Sequence, residues 1–126
     1  GHGHGETILV VDDEALIRET VKHSLAVGNY RYLSSEDGEA AADRLRRHAD
    51  KIRVVLTDLF MPESDGYALI ARVNHQYPDI SVIVMSSQLD ETQRQRLDAL
   101  EVDAVLNKPF SSEELLAALD EIVSRH

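Results

Sequence analysis

Short apolar runs alternate with longer amphipathic stretches along the whole chain, and this alternation constrains the fold more than any other feature. The runs are TILVV (7–11), YRYLS (30–34), RVVLT (53–57), SVIVM (81–85) and AVL (104–106). They are short, rich in Val and Ile and mostly continuous, as strands buried on both faces are. The stretches between them space apolar residues three and four positions apart, as amphipathic helices do, over residues 14–27, 39–48, 67–76, 91–100 and 112–124.

The elements follow one another as strand and then helix five times, which predicts an α/β fold with a parallel sheet covered by helices on both faces. Possible capping boxes, Asp90 with Gln93 and Ser111 with Glu114, mark the starts of the last two helices. Right-handed crossovers bring the carboxyl ends of all strands to one edge of the sheet, where ligands of such folds bind.

Composition excludes several classes of protein. The 126 residues suggest one domain, and the absence of cysteine excludes disulfides and thiolate metal sites. A net charge of -10 and an aromatic content of 5% make this domain a poor binder of nucleic acid. No apolar run approaches the ~18 residues of a membrane span. We interpret the glycine- and histidine-rich residues 1–5 as a tag remnant or disordered end, and residues 6–126 as the domain.

Polar residues follow the strands directly, and the predicted topology gathers them at one edge of the sheet. They are Asp12 and Asp13 after the first strand, Asp58 after the third, Ser86 after the fourth and Lys108 after the fifth. Three neighbouring carboxylates repel one another unless a cation is present, and an all-oxygen site suits Mg²⁺. With that charge neutralised, one carboxylate can attack phosphorus, while the lysine and serine stabilise phosphoryl oxygens.

Each of these residues also has a purely structural interpretation. Asp12 and Asp13 can cap the first helix, where carboxylates are favoured. Asp58 can open a loop, Ser86 can cap a turn, and Lys108 can be an ordinary surface lysine. Taken singly, these explanations are as good as the functional one or better. The joint placement of all five residues on one edge favours a functional site.

Four segments resemble motifs of the receiver domain of two-component response regulators, the chemotaxis-Y-like family. They are LVVDDE, LTDLFMPESDGYAL, VIVMSS and NKPF, in the same order and spacing over nearly the whole chain. The resemblance implies a doubly wound, flavodoxin-like (βα)5 fold with strand order 2-1-3-4-5. It also implies that Asp58 accepts a phosphoryl group from a phosphohistidine on a sensor histidine kinase or a histidine phosphotransfer protein.

The same resemblance implies roles for the other residues. Asp12, Asp13, Asp58 and the backbone carbonyl of Phe60 are expected to hold Mg²⁺, with Ser86 as the switch hydroxyl. Lys108 is expected to contact the phosphoryl group and to precede a cis bond to Pro109. Such a domain promotes its own aspartyl phosphorylation and dephosphorylation with Mg²⁺ and is not a conventional enzyme.

The resemblance also implies a cytoplasmic signalling switch with protein partners. Besides the phosphodonor, these are an output domain or a second copy, contacted through the face of the fourth helix, fifth strand and fifth helix. We expect no direct binding of nucleic acid or membranes by this domain.

Two residues depart from the family pattern. Val105 stands where an aromatic ring often couples phosphorylation to the partner face, and Glu101 stands where a glycine is common before the fifth strand. Val105 therefore motivates an alternative, in which the domain is a phosphorylation-independent interaction module. A Mg²⁺-dependent phosphohydrolase is disfavoured, because Phe60 occupies the position of its usual acid–base aspartate. A flavin-binding protein is disfavoured because the first strand lacks a Ser/Thr-rich phosphate loop after it.

Overall fold

Five parallel strands form one sheet in the computed structural model, which describes residues 3–62 and 64–125. The strands are β1 (Thr7–Val11), β2 (Arg31–Ser35), β3 (Ile52–Asp58), β4 (Ser81–Ser86) and β5 (Ala104–Asn107). Counted in this way, they lie in the order 2-1-3-4-5, and every neighbouring pair is parallel. The predicted doubly wound, flavodoxin-like fold is confirmed, and each predicted strand end lies within one residue of the observed one.

Within the described residues, five helices connect and follow the strands. They are α1 (Ala15–Val27), α2 (Gly38–His48), α3 (Gly66–Gln76), α4 (Glu91–Asp98) and α5 (Ser112–Ser124). Both predicted capping boxes are present, with reciprocal hydrogen bonds of 2.8 Å at the start of α4 and of 3.0 and 3.1 Å at the start of α5. Helix α4 ends two residues earlier than predicted.

The core lies in two layers, one on each face of the sheet. Leu9 and Val55 point to the face covered by α2, α3 and α4, whereas Ile8 and Val54 point to the face covered by α1 and α5. Successive strand residues thus enter opposite layers. This double burial explains why the strands read as continuous apolar runs. Within the described part of the chain, no helix is both long and apolar enough to cross a membrane.

The N-terminal glycines contact the turn between α1 and β2. The N–H groups of Gly3 and Gly5 donate to the carbonyl oxygens of Gly28 and Asn29, at 2.8 and 2.9 Å. Residues 1 and 2 lie outside the described residues. The interpretation of residues 1–5 as a tag remnant or disordered end therefore stays a prediction.

The connection between β3 and α3 folds back tightly on itself. Residues Phe60–Met61 pair with Ser64–Asp65 in a short antiparallel ladder that the sequence did not predict. Gly66 follows, and its backbone is so close to β3 that a Cβ atom there would lie 2.7 Å from Leu59 Cα. Gly66 does not have a positive φ angle. Glycine is required here because two backbone segments approach each other closely.

The loop between α4 and β5 accommodates Glu101 without a residue in the left-handed region among those described. Instead, the side chain of Asn74 on α3 holds it from both sides. Asn74 Nδ2 donates to Glu101 O at 3.0 Å, and Glu101 N donates to Asn74 Oδ1 at 2.8 Å. A side-chain amide thus satisfies the backbone groups at the position where the family often has a glycine.

Candidate functional site

Three carboxylates meet at the carboxyl edge of the sheet. Asp12 and Asp13 follow β1, Asp58 ends the neighbouring strand β3, and one carboxylate oxygen from each lies within 4.8 Å of the others. Asp12 is fully buried and Asp58 is 6% exposed, whereas Asp13 is exposed. The cluster is therefore closed on the protein side and open to solvent on the Asp13 side.

Asp12 is held by hydrogen bonds on every polar group. Its Oδ1 accepts from the N–H of Glu14 at 2.9 Å, and its Oδ2 accepts from Lys108 Nζ at 2.9 Å. Its backbone carbonyl accepts from Arg18 Nη1 at 2.7 Å. Glu14, not Asp12 or Asp13, is the N-cap residue of α1, and no side chain in the described structure caps that helix. Asp13 is therefore not a helix cap. Asp12 makes only a turn contact, to the N–H of Glu14, two residues further along the chain.

Lys108 lies inside the site and is not an ordinary surface lysine. Its side chain is 15% exposed, and Nζ lies 2.9 Å from Asp12 Oδ2 and 3.5 Å from Asp58 Oδ2. Its backbone N–H donates to Ser86 O at 2.7 Å, and its peptide bond to Pro109 is cis, as predicted. Burial alone would lower the pKa of this ammonium group, but the hydrogen bond and negative charge of Asp12 outweigh it and raise the pKa.

Asp58 carries an electrostatic penalty in the metal-free protein. Burial raises the pKa of its carboxyl group, and the negative charge of Asp12 adds to the rise, although Lys108 and the N–H of Phe60 oppose it. The Phe60 N–H donates to Asp58 Oδ1 at 3.4 Å. A further positive charge at this edge would therefore stabilise the ionised carboxylate.

Ser86 places a buried hydroxyl at the same edge. The residue is fully buried at the end of β4, and its Oγ atom has no hydrogen-bond partner among the described residues. A buried hydroxyl without a partner costs roughly 1–3 kcal/mol, and Ser86 Oγ makes no capping bond here. The group is available to donate to a ligand oxygen.

The donor set fits a hard divalent cation. It consists of three carboxylates, of which that of Asp13 is exposed, and backbone carbonyls such as that of Phe60 lie on the adjacent loop. Mg²⁺ favours such oxygen ligands and usually retains several waters. Asp12, Asp13 and Asp58 were predicted from the sequence, whereas no motif marks Arg18, which donates to the backbone carbonyl of Asp12.

Replacing Asp58 with asparagine is expected to stabilise the metal-free protein by about 1 to 3 kcal/mol at neutral pH, because a buried carboxylate next to that of Asp12 is replaced by a neutral amide. The pKa of Asp58 is higher in the folded state than in the unfolded chain. Folding is therefore not disfavoured by this group at a pH below the ordinary carboxyl pKa, where the carboxyl is protonated in both states. The free energy of unfolding falls as the pH rises through the raised pKa, because the buried group must then ionise. The difference between Asp58→Asn and wild type should therefore disappear near pH ~3. Urea unfolding without divalent ions measures it, and equal stability of the two proteins at neutral pH contradicts it.

The fold and the site together define a flavodoxin-like α/β protein with an acidic, lysine-containing site at its strand ends. A family model described as the response regulator receiver domain matches residues 8–120, and the chain belongs to this family. It is a receiver domain of two-component response regulators. Members are generally not conventional enzymes; they bind Mg²⁺ at an acidic pocket and receive phosphate from histidine kinases.

Individual relatives agree with this assignment. Probable transcriptional regulator ycf27 of Porphyridium aerugineum is 33% identical over 120 residues, which cover 95% of this chain and 49% of that protein. Response regulator MprA of Mycolicibacterium vanbaalenii is 33% identical over 119 residues, which cover 94% of this chain and 50% of that protein. Among solved structures, chemotaxis response regulator CheY4 of Vibrio cholerae superposes with a TM-score of 0.85 at 26% identity, and the match covers 94% of this chain and 98% of that one. The chain spans about half the length of the curated relatives it matches.

Proposed function

We propose that Asp58 is the phosphoacceptor of this receiver domain and that the acidic cluster binds the Mg²⁺ required for the transfer. The observation that carries the proposal is the convergence of Asp12, Asp13 and Asp58 with the buried ammonium group of Lys108 at one edge of the sheet. Ser86 adds a buried hydroxyl without a partner among the described residues. This set matches the chemistry of phosphoryl transfer to a carboxylate.

In the proposed reaction a carboxylate oxygen of Asp58 attacks the phosphorus of a phosphohistidine on the donor protein. A P–O bond forms, the P–N bond breaks, and its electron pair stays on the imidazole nitrogen of the donor. The negative charge on the phosphoryl oxygens increases the need for positive charge nearby. Lys108 is placed to supply it from 3.5 Å away from Asp58 Oδ2.

The remaining residues hold the acceptor and its surroundings. Asp12, Asp13, Asp58 and the Phe60 carbonyl would hold Mg²⁺, which when bound neutralises charge between the carboxylates and the phosphoryl group. Lys108 and Arg18 fix Asp12 through its side chain and its backbone. The Ser86 hydroxyl donates a hydrogen bond to a phosphoryl oxygen and so gains the partner that it lacks among the described residues.

The interaction-module alternative is not favoured. It was motivated by Val105, which is 42% exposed on β5 and cannot act as an aromatic gate. The acidic cluster and its lysine are nevertheless complete. An interaction module that did not use phosphorylation would have no need to bury the carboxylate of Asp58 beside that of Asp12, which disfavours its ionised form. A phosphohydrolase role is disfavoured as well, because Phe60 offers no acid–base group.

The partners and location also remain proposals. We infer that the donor is a sensor histidine kinase or a histidine phosphotransfer protein, and that the domain works in the cytoplasm. We further propose that α4, β5 and α5 form the face that contacts an output domain or a second copy. One relative is called a probable transcriptional regulator, which supports the proposal of an output in transcription.

The test is incubation of the protein with acetyl phosphate, a small phosphodonor, in Mg²⁺ or in EDTA. Wild type is expected to gain the mass of one phosphoryl group in Mg²⁺ and none in EDTA, because the carboxylates repel the donor without a cation. Intact-mass spectrometry follows the gain, and Asp50→Asn is the matched control, because Asp50 is exposed and precedes β3, whose other end carries Asp58. The proposal fails if wild type gains nothing, or gains equally in EDTA.

A further inference from the structure

A stacked pair joins α4 to the start of α3. The guanidinium carbon of Arg96 lies 3.8 Å from the ring centroid of Tyr67, a cation–π contact, and Arg96 Nη2 lies 3.8 Å from Asp65 Oδ2. Asp65 is the N-cap of α3, and its Oδ1 accepts from the N–H of Tyr67 at 2.9 Å. One arginine on α4 therefore contacts both a capping carboxylate and the aromatic ring beside it.

The same ring reaches the acceptor loop. Tyr67 is 6% exposed and packs edge-on against Phe60, with ring centroids 6.5 Å apart and planes at 70°. The N–H of Phe60 donates to Asp58 Oδ1, and Phe60 pairs with Asp65 in the short antiparallel ladder. A continuous series of contacts thus runs from Arg96 through Tyr67 and Phe60 to Asp58.

The loop is not packed firmly from all sides. A cleft of about 430 Å³ lies beside it, lined by the loop residues Leu59 to Pro62 and by Arg96. The Tyr67 hydroxyl is buried without a hydrogen-bond partner in the described structure, so its ring is held by stacking and packing. The contacts of Arg96 on α4 are therefore one of the restraints on the position of the loop.

We propose that Arg96 is a positioning residue, which through Tyr67 holds the loop between β3 and α3 in the arrangement that binds the metal ion. The inference rests on the proposed function, since the loop carries Asp58 and the Phe60 carbonyl. Coupling is reciprocal: a contact on α4 that favours metal binding is itself favoured by metal binding. Arg96 therefore links the state of the acceptor site to α4 in a domain that lacks the aromatic gate.

A purely electrostatic role and a positioning role of Arg96 predict opposite changes in Mg²⁺ binding when the side chain is removed. An arginine that acted only through its charge would repel Mg²⁺, so its loss would tighten Mg²⁺ binding. An arginine that positions the loop would weaken Mg²⁺ binding when it is lost. A cation–π contact at an exposed site corresponds to about a two- to fivefold change in an equilibrium constant.

The experiment measures the Mg²⁺ dissociation constant of the unphosphorylated protein by calorimetry. Arg96→Ala is expected to raise it about two- to fivefold, and Arg96→Lys, which keeps the charge without the planar group, to raise it less. Arg94→Ala, an exposed arginine one half-turn away on α4, is the matched control and is expected to leave it unchanged or slightly lower. The Arg96 side chain is 55% exposed, so its removal leaves no core cavity.

A second measurement reads the contact directly. The NMR signal of the Arg96 Nε–H group is expected to be shifted upfield by the ring current of Tyr67 and to shift further upfield on saturation with Mg²⁺. Unchanged or tighter Mg²⁺ binding in Arg96→Ala overturns the inference. If wild type still binds Mg²⁺ and accepts phosphate, the proposed function survives that result. A wild-type protein that binds no Mg²⁺ overturns both.

Discussion

Replacing Lys108 with methionine is expected to destabilise the metal-free protein by about 3 kcal/mol and to slow phosphoryl acceptance by at least about 100-fold. The loss of stability follows because Asp12 is fully buried and Lys108 is its ion-pair partner at 2.9 Å. Methionine keeps an unbranched stem that fills most of the same space, but it leaves this carboxylate without its positive partner. The loss of rate follows because no other ammonium group in the described structure lies against Asp58.

The same substitution should tighten Mg²⁺ binding, since it removes a positive charge from the carboxylates that bind the ion. Urea unfolding, Mg²⁺ titration and the rate of reaction with acetyl phosphate give the three values. Lys51→Met, at an exposed lysine between α2 and β3, is the control for a change of net charge. A Lys108→Met protein with wild-type stability and wild-type phosphorylation rate would show that Lys108 is only a surface residue.

Replacing Asp13 with alanine is expected to weaken Mg²⁺ binding at least about tenfold, or about 1.4 kcal/mol, with little change in the free energy of unfolding. Asp13 is exposed, and no helix cap or ion pair in the described residues depends on it. Its carboxylate belongs to the cluster whose oxygens lie within 4.8 Å. Its removal takes a ligand away from the ion and leaves the free energy of unfolding almost unchanged.

Calorimetry with Mg²⁺ and urea unfolding in EDTA separate these two effects. Asp50→Ala removes the same charge from an exposed loop away from the acidic cluster and should alter neither value by more than about 0.5 kcal/mol. An Asp13→Ala protein that unfolds readily but binds Mg²⁺ as wild type does would restore the helix-capping explanation.

The fold was predictable because its strands are buried on both faces. Leu9 and Ile8, adjacent in sequence, enter different core layers, and that arrangement leaves a continuous apolar run. Helix starts were predictable where a local pair decides them, as at Asp90 and Ser111. The end of α4 was placed two residues late, since apolar Leu100 continues the helical pattern while its N–H bonds in a tighter turn to Leu97.

The candidate site was predictable as a set of residues but not as a set of contacts. Parallel topology alone brings Asp12, Asp58 and Lys108 to one edge, so their proximity followed from the order of the elements. The contacts of Arg18 with Asp12 and of Arg96 with Tyr67 depend on tertiary positions that no local pattern encodes. The metal and phosphoryl roles of these residues stay predictions.

The most direct test of the account is to locate the phosphoryl group after reaction with acetyl phosphate and Mg²⁺. Borohydride reduces an acyl phosphate to an alcohol, so a phosphorylated aspartate becomes homoserine, which peptide mass spectrometry assigns to a position. We expect homoserine at residue 58, formed in Mg²⁺ and absent in EDTA. Reduction at another residue, or an equal phosphoryl gain by Asp58→Asn, would contradict the central claim that Asp58 is the acceptor.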